Sequence, residues 1–234
     1  MLGGRPVLDG LELHVPAGGR LGIVGRSGSG KSTLLSLVAG LDEQDAGVVL
    51  VGGERSAPGR LSRCALMPQR DCLLPWRTAL DNACIALENR GLPRSQARSE
   101  AAPLFARFGL AGSEHLRPAR LSGGMRQRVA FLRTLLAGKD VLLLDEPFGA
   151  LDAITRVELQ EWLGQALAGS PRTVLFVTHD VEEALLLCDR VAVLDGGRIV
   201  TELEVDVPWE GARREIVSSR DFVELRERAF EALE

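Results

Sequence analysis

No apolar run in this sequence approaches the ~18 residues that span a bilayer. Service to a membrane process would therefore pass through a partner that spans. The start, MLGGRPVLDG, lacks both a basic stretch and an apolar core, so no secretory signal is expected. Basic residues are not in excess: the net charge is −4, which weighs against a general nucleic-acid binder. Cysteines are few, at 64, 72, 84 and 188, and none forms a CxxC pair. Only three histidines occur, at 14, 115 and 179. A zinc site is not expected from such scatter, and reduced, buried thiols are the plainer reading, in keeping with a cytosolic compartment. Internal repeats and low-complexity segments are also missing.

What is present is ample for a core. Hydrophobic residues make up 45 % of 234, and the charged fraction of 26 % is ordinary. The length suits one domain, residues 1–234, with a lobe inserted in it. Short apolar segments alternate with helical ones. VLDGLELHV alternates Leu11, Leu13 and Val15 and reads as a half-buried strand. RLGIVG, GVVLVGG, CALMPQ, DVLLLDEP and TVLFVTHD read as further strands, and RVAVLDGGRIV as a hairpin about Gly196-Gly197. STLLSLVAGL, AITRVELQEWLGQALAG and VEEALLLC read as helices. Residues 72–135 change texture: LPWRTALDNACIALENRG and PRSQARSEAAPLFARFGL are helical, so a helical subdomain is expected there. PWEGARRE, from residue 208, reads as a linker into a tail helix, with Ser219 or Asp221 as cap and Phe222, Leu225, Ala229 and Leu233 on one face. The fold expected is α/β: a mostly parallel sheet covered by helices, with an antiparallel β part and the inserted helical subdomain.

GRSGSGKS fits G-x-x-x-x-G-K-[ST] through Gly25, Gly30, Lys31 and Ser32, after a predicted strand and ahead of a predicted helix. Glycines let the backbone N–H groups curl toward phosphate oxygens, and the helix N-terminus adds partial positive charge. Lys31 can reach the β- and γ-phosphates and the Ser32 hydroxyl can ligate Mg²⁺. A plain glycine-rich turn is the alternative, and the strand–loop–helix context disfavours it. VLLLDEP ends a buried strand in Asp145 and Glu146. Such an Asp in P-loop NTPases holds Mg²⁺, and the neighbouring Glu can polarise water. Two carboxylates at a strand end also occur as a plain terminus.

Taken together, the loop at 25–32, Gln69, LSGGM at 121–125, LLLDEP at 142–147, GALD at 149–152 and THD about His179 closely resemble the ATP-binding cassette (ABC) ATPases, in order and spacing, over nearly the whole chain. The resemblance implies the P-loop NTPase core of that fold, with ATP and Mg²⁺ as cofactors. ATP would be bound by Gly25, Arg26, Ser27, Gly28, Ser29, Gly30, Lys31, Ser32 and Thr33. Glu146 would orient the attacking water, His179 would bond the γ-phosphate, and Gln69 would touch Mg²⁺ and water. Ser32, Gln69 and Asp145 would form the metal set. Taken alone, a histidine at a strand end is more often structural. Two cassettes of the family pair head to tail, so Ser122, Gly123 and Gly124 would contact the γ-phosphate held by the partner copy, and Asp152 would shape the dimer contact.

A free-standing cassette without a long coiled coil, a second cassette or a fused membrane segment resembles an importer subunit. LLPWRT, LSGGMRQR and DEPFGALDAITR are similar to the nitrate/sulfonate/taurine group, and MPQRD to members assigned to pyrimidine precursors of thiamine. Such a subunit would lie peripherally on the cytoplasmic side of the cell membrane, as an ATP-bound homodimer. It would contact transmembrane permease subunits directly and a solute-binding protein indirectly, with no nucleic acid. A soluble ABC ATPase uncoupled from transport is the alternative. Trp76, with Leu73 and Leu74, would line a groove for a permease helix; a core tryptophan is the plainer reading of that residue.

One departure stands out. Family members stack an aromatic ring on adenine some twenty-odd positions ahead of the loop, a position that falls near Leu2. This sequence has no Tyr, and neither Phe nor Trp precedes Trp76. An upstream start or purely aliphatic contact with the base would account for this. Loss of a stacking contact of roughly 1–3 kcal/mol implies ATP binding weakened about ten- to a hundred-fold and poor discrimination from GTP.

Overall fold

A computed structural model describes residues 6–149, 151–167, 171–206 and 213–233. Six strands form one sheet in the order β2-β3-β4-β1-β5-β6, with β1 at Arg20–Val24, β2 at Cys64–Met67, β3 at Val141–Asp145, β4 at Thr173–Thr178, β5 at Arg190–Asp195 and β6 at Arg198–Glu204. The pairs β2/β3, β3/β4, β4/β1 and β1/β5 are parallel, and only β5/β6 is antiparallel. That last pair closes through Gly196 and Gly197, both at positive φ (53° and 81°), as a two-residue hairpin turn requires.

Strand side chains alternate between two buried layers, as the period of two demands. Leu21, Ile23, Leu143, Leu175, Val177, Ala192 and Leu194 pack toward helix α1 (Lys31–Ala39). Val24, Leu142, Leu144, Val174, Phe176, Val191 and Val193 pack on the other face. There they meet α5 (Gly123–Leu136), α6 (Ala153–Leu167), α7 (Val181–Leu187) and α9 (Arg220–Glu231). Both faces are covered, which is why these strands are nearly continuous apolar runs.

The sequence also gives α3 (Ala79–Asn89), capped by Thr78, and α4 (Arg94–Arg107), which α3 joins to α5 by packing on both. Phe105, Phe108 and Leu110 carry this helical cluster into the same core as the sheet. Asp81, 4 % exposed at its side chain, accepts from Arg94 Nη2 and Arg98 Nε, each at 2.8 Å. Burial alone would raise its pKa, but the bonds from Arg98, Arg94 and Thr78 more than reverse that and hold it well below the carboxylate range. A depressed native pKa contributes stability that is present above the unfolded value of about 4 and is lost as pH falls through the native one. Asp81→Ala should therefore cost about 2 kcal/mol near pH 7, lowering Tm by several degrees, and the difference from the parent should shrink in strong acid. Thermal melts at both pH values check this.

Three expectations are corrected. Residues 11–15 form no strand, and neither does 47–53, apart from one bridge between Val51 and Glu54. Leu11, Leu13 and Val15 do pack, half-buried, on the α1 layer; alternation set the buried face, but no strand among the described residues supplies a ladder. The helix expected from Leu74 begins only at Ala79, because Thr78 accepts from Asp81 N and caps it there. Two short helices went unread: α2 (Ala57–Arg63), capped by Ser56, and α8 (Arg213–Ser218). The tail helix stands as expected, with Ser219 as cap, Phe222 and Ala229 buried, and Leu225 and Leu233 against the core. Leu2 and most of the expected linker lie outside the described residues.

Candidate functional site

Because the central strands are parallel, their carboxyl ends share one edge, where ligands of open α/β sheets bind. The loop after β1, the Asp145-Glu146 end of β3, His179 after β4 and Gln69 after β2 all reach that edge.

Gly30 caps α1 at φ 104°, a conformation open to glycine and strained for other residues. A Cβ on Gly25 would lie 2.4 Å from the Leu194 carbonyl oxygen and 2.7 Å from Ser29 Oγ, so the loop closes only without one. Lys31, 6 % exposed, donates to the carbonyls of Gly25 (2.8 Å) and Arg26 (2.9 Å). Burial lowers its pKa, against the opposing pull of Glu146 and Asp145. Arg26, Ser27, Gly28 and Ser32 are exposed and Thr33 half-buried, while Ser29 Oγ is buried without a hydrogen-bond partner. An orphaned hydroxyl beside a buried lysine at the start of α1 fits an anion whose oxygens complete them.

Ser32 Oγ lies 3.5 Å from Asp145 Oδ1. Burial raises the Asp145 pKa; Ser32 and Lys31 pull it down, and Glu146 adds to the rise. Such a carboxyl is set to gain from a cation. Among the described residues no three His, Cys, Asp or Glu side chains gather to hold a metal. A hydroxyl and one carboxylate nevertheless fit Mg²⁺, which takes few protein ligands and completes its shell with phosphate and water.

Glu146 is the point of convergence. Its Oε2 accepts from Gln69 Nε2 at 3.1 Å and lies 3.2 Å from His179 Nδ1; its Oε1 lies 3.9 Å from Lys31 Nζ. The residue sits at φ +43° and its N–H donates to Val177 O at 2.8 Å. A non-glycine residue held in the left-handed region costs on the order of 1 kcal/mol or more.

The LSGGM segment at 121–125 stands apart. Ser122 caps α5, accepting from Met125 N at 3.2 Å, and Asp152 Oδ1 accepts from Thr155 N at 3.1 Å. Among the described residues no hydrogen bond or ion pair joins either one to the phosphate loop, Asp145, Glu146, Gln69 or His179. A Cβ on Gly124 would sit 2.8 Å from Thr155 Cγ2, so that glycine also lets α5 approach α6.

Two residues escaped the sequence reading. Arg126 Nε donates to Asp71 Oδ2 (3.0 Å) and its Nη1 to Leu121 O (2.9 Å); Arg133 donates to the carbonyls of Asp71 (2.7 Å) and Cys72 (2.8 Å). Together they pin the segment after Gln69 to α5. Their spacing of seven on one helix was the available signal.

Trp76 is 69 % exposed, so it is not a core residue, whereas Leu73 is buried and cannot line a groove.

Residues 8–149 match the family described as ABC transporter. The chain is 50 % identical over 199 residues to an aliphatic sulfonates import ATP-binding protein of Rhodococcus jostii, covering 85 % of this chain and 77 % of that one. It is 48 % identical over 204 residues to one of Cupriavidus necator, covering 86 % of this chain but only 65 % of that protein's length. A formylaminopyrimidine import ATP-binding protein of Halalkalibacterium halodurans is 44 % identical over 209 residues, with 89 % and 81 % covered. Among solved structures, a dimeric post-hydrolysis state of the ATP-binding cassette MJ0796 bound to ADP and Pi superposes with a TM-score of 0.75, at 27 % identity, covering 88 % of this chain and 92 % of that one.

Proposed function

The chain belongs to the ABC transporter family of ATP-binding proteins, and on that premise we propose that it is the ATP-hydrolysing subunit of an importer for a small solute. The observation that carries the hydrolytic reading is the convergence of Gln69, His179 and Lys31 on the Glu146 carboxylate.

In this reading the loop at 25–33 cradles the phosphates through backbone N–H groups, and Lys31 exchanges its two loop carbonyls for phosphate oxygens. Ser32 and Asp145, with Gln69, would hold Mg²⁺, which when bound supplies neutralising charge at the phosphates. Glu146 orients the attacking water, Gln69 fixes one carboxylate oxygen, and the His179 ring faces the γ-phosphate. The work is positioning and electrostatic stabilisation. Ser122, Gly123 and Gly124 complete the site of a second copy, with Asp152 at the contact, so each ATP would be enclosed by two chains. The separation of Ser122 from the phosphate loop within one chain supports this. The purified chain should release phosphate from ATP only when Mg²⁺ is supplied, with a rate per chain that rises with protein concentration. Equal release in excess EDTA would refute the metal assignment.

Sulfonate and formylaminopyrimidine import proteins among the relatives favour a small polar solute, selected by a solute-binding protein and permease rather than by this chain. The subunit would sit against the cytoplasmic face of the membrane; no described helix is long and apolar enough to cross it. Trp76, exposed beside the half-buried Leu74, offers an apolar anchor to a permease helix. Trp76→Ala should leave isolated ATPase activity near the parent's and abolish recovery of the permease in a pull-down. Intact complex from the variant would count against that anchor. Residues 72–135 are read as the helical lobe carrying this surface.

A further inference from the structure

Behind His179 lies a buried polar chain that the reaction itself does not use. Glu183, on α7, is 4 % exposed. Its Oε2 accepts from Thr178 Oγ1 at 2.5 Å and its Oε1 from Gln160 Nε2 at 3.0 Å, with Arg156 Nε at 4.0 Å. Thr178 Oγ1 in turn accepts from Asp180 N at 3.1 Å. The carboxylate thus fixes the residue before His179 directly and the residue after it through one hydroxyl. Gln160 Oε1 accepts from Arg213 Nη1 at 2.5 Å, so the first residue of α8 reaches the same network across α6. A second tie joins the tail to α7: Arg226 Nη1 to Glu182 Oε1 at 3.0 Å, where α9 packs on α7.

A guanidinium on an amide oxygen polarises that amide, and the N–H it offers to Glu183 strengthens. Burial pushes the Glu183 carboxyl up, while Thr178, Arg156 and Gln160 draw it down. Its charged, bond-accepting form thus depends on these partners.

We propose that Glu183 is a positioning residue for His179 and that Arg213 sets it through Gln160, so that the C-terminal helix pair governs how fast ATP is cleaved rather than how tightly it is held. This rests on the reading of His179 as the group facing the γ-phosphate.

Arg213→Ala, in the full chain, tests it from a position outside the core. Networks of this kind modulate coupling by amounts equivalent to about 2- to 30-fold in rate. The expected result is a kcat lowered by about that factor with KM within twofold, largely restored by Arg213→Lys. The ring nitrogens of His179, one of only three histidines, should also shift in a nitrogen–proton correlation spectrum of the nucleotide-free chain. In a His179→Ala background the Arg213 substitution should have no further effect on rate. Unchanged kcat and unchanged ring signals in Arg213→Ala would overturn the proposal. So would a fall in kcat accompanied by lower Tm and higher KM, with no rescue by Lys. If His179→Ala itself hydrolysed ATP at the parent rate, the role given to His179 would fail, and the ring signals would still decide whether Arg213 positions it.

Discussion

Glu146→Gln is expected to lower ATP hydrolysis by about 10²- to 10⁴-fold, the range of a lost general base, while ATP still binds. The amide matches the carboxylate in size and can occupy the same left-handed backbone at φ +43°. Its oxygen can still accept from Gln69 Nε2, which holds the side chain at 3.1 Å in the parent. What would disappear is the negative charge proposed to draw a proton from water. With binding intact and cleavage blocked, the ATP-enclosed dimer should accumulate. Gel filtration with ATP should show a dimer for the variant and mostly monomer for the parent after turnover. Hydrolysis at the parent's rate would remove Glu146 from the role of base.

Lys31→Ala is the second large effect, and it falls on binding. In the ligand-free loop Nζ is tied to Gly25 O and Arg26 O. Phosphate would replace carbonyls with full anionic charge at an ammonium whose side chain is only 6 % exposed. Truncating one partner of such a buried charge pair costs about 2–5 kcal/mol, or roughly a 30- to 4000-fold loss in affinity. Calorimetric titration with ATP measures it directly. The free loop should also loosen, because two inward carbonyls lose their donor. Burial lowers the parent's Lys31 pKa, and an anionic ligand favours the protonated amine. Affinity should therefore fall as pH rises through the Lys31 pKa, which burial places below the usual lysine value. Lys31→Ala should lack that pH dependence. Parent-like affinity in the alanine variant would contradict the loop assignment.

Much of this was legible because the determining signals are local. Four consecutive apolar residues closed by Asp-Glu marked β3, and a Gly-rich stretch between a strand and a helix marked the loop. Residues 11–15 show where locality ends. Alternation of Leu11, Leu13 and Val15 reports which side is buried, and it did so correctly; whether a neighbouring backbone lies within bonding distance is a tertiary fact. Trp76 carries no local mark of exposure between Pro75 and Arg77; the family resemblance, which implied a groove residue, is what put it at the surface, where it is found. Glu182 and Glu183 are adjacent and chemically alike. One pairs at the surface with Arg226 and the other is sealed beneath His179. Only the packing of α7 on the sheet tells them apart. Arg126 and Arg133 were hidden differently: their targets at Asp71 and Cys72, a carboxylate and two backbone carbonyls, lie more than fifty residues away.

The pairing of β3 with β4 carries a last consequence. Asp145 lies opposite Val177, and the N–H of Glu146 bonds Val177 O, so the two carboxylates and the histidine two residues beyond Val177 are placed by neighbouring rungs of one ladder. Strand side chains have a period of two. A slip of β4 by one residue would carry Phe176 from its own layer to the opposite one, away from Phe148, its ring neighbour at 6.0 Å. The misaligned sheet is penalised by several buried side chains at once. The placement of these three polar groups is thereby tied to the packing of the core: the register that sets Asp145 opposite Val177 also seats Phe176 beside Phe148.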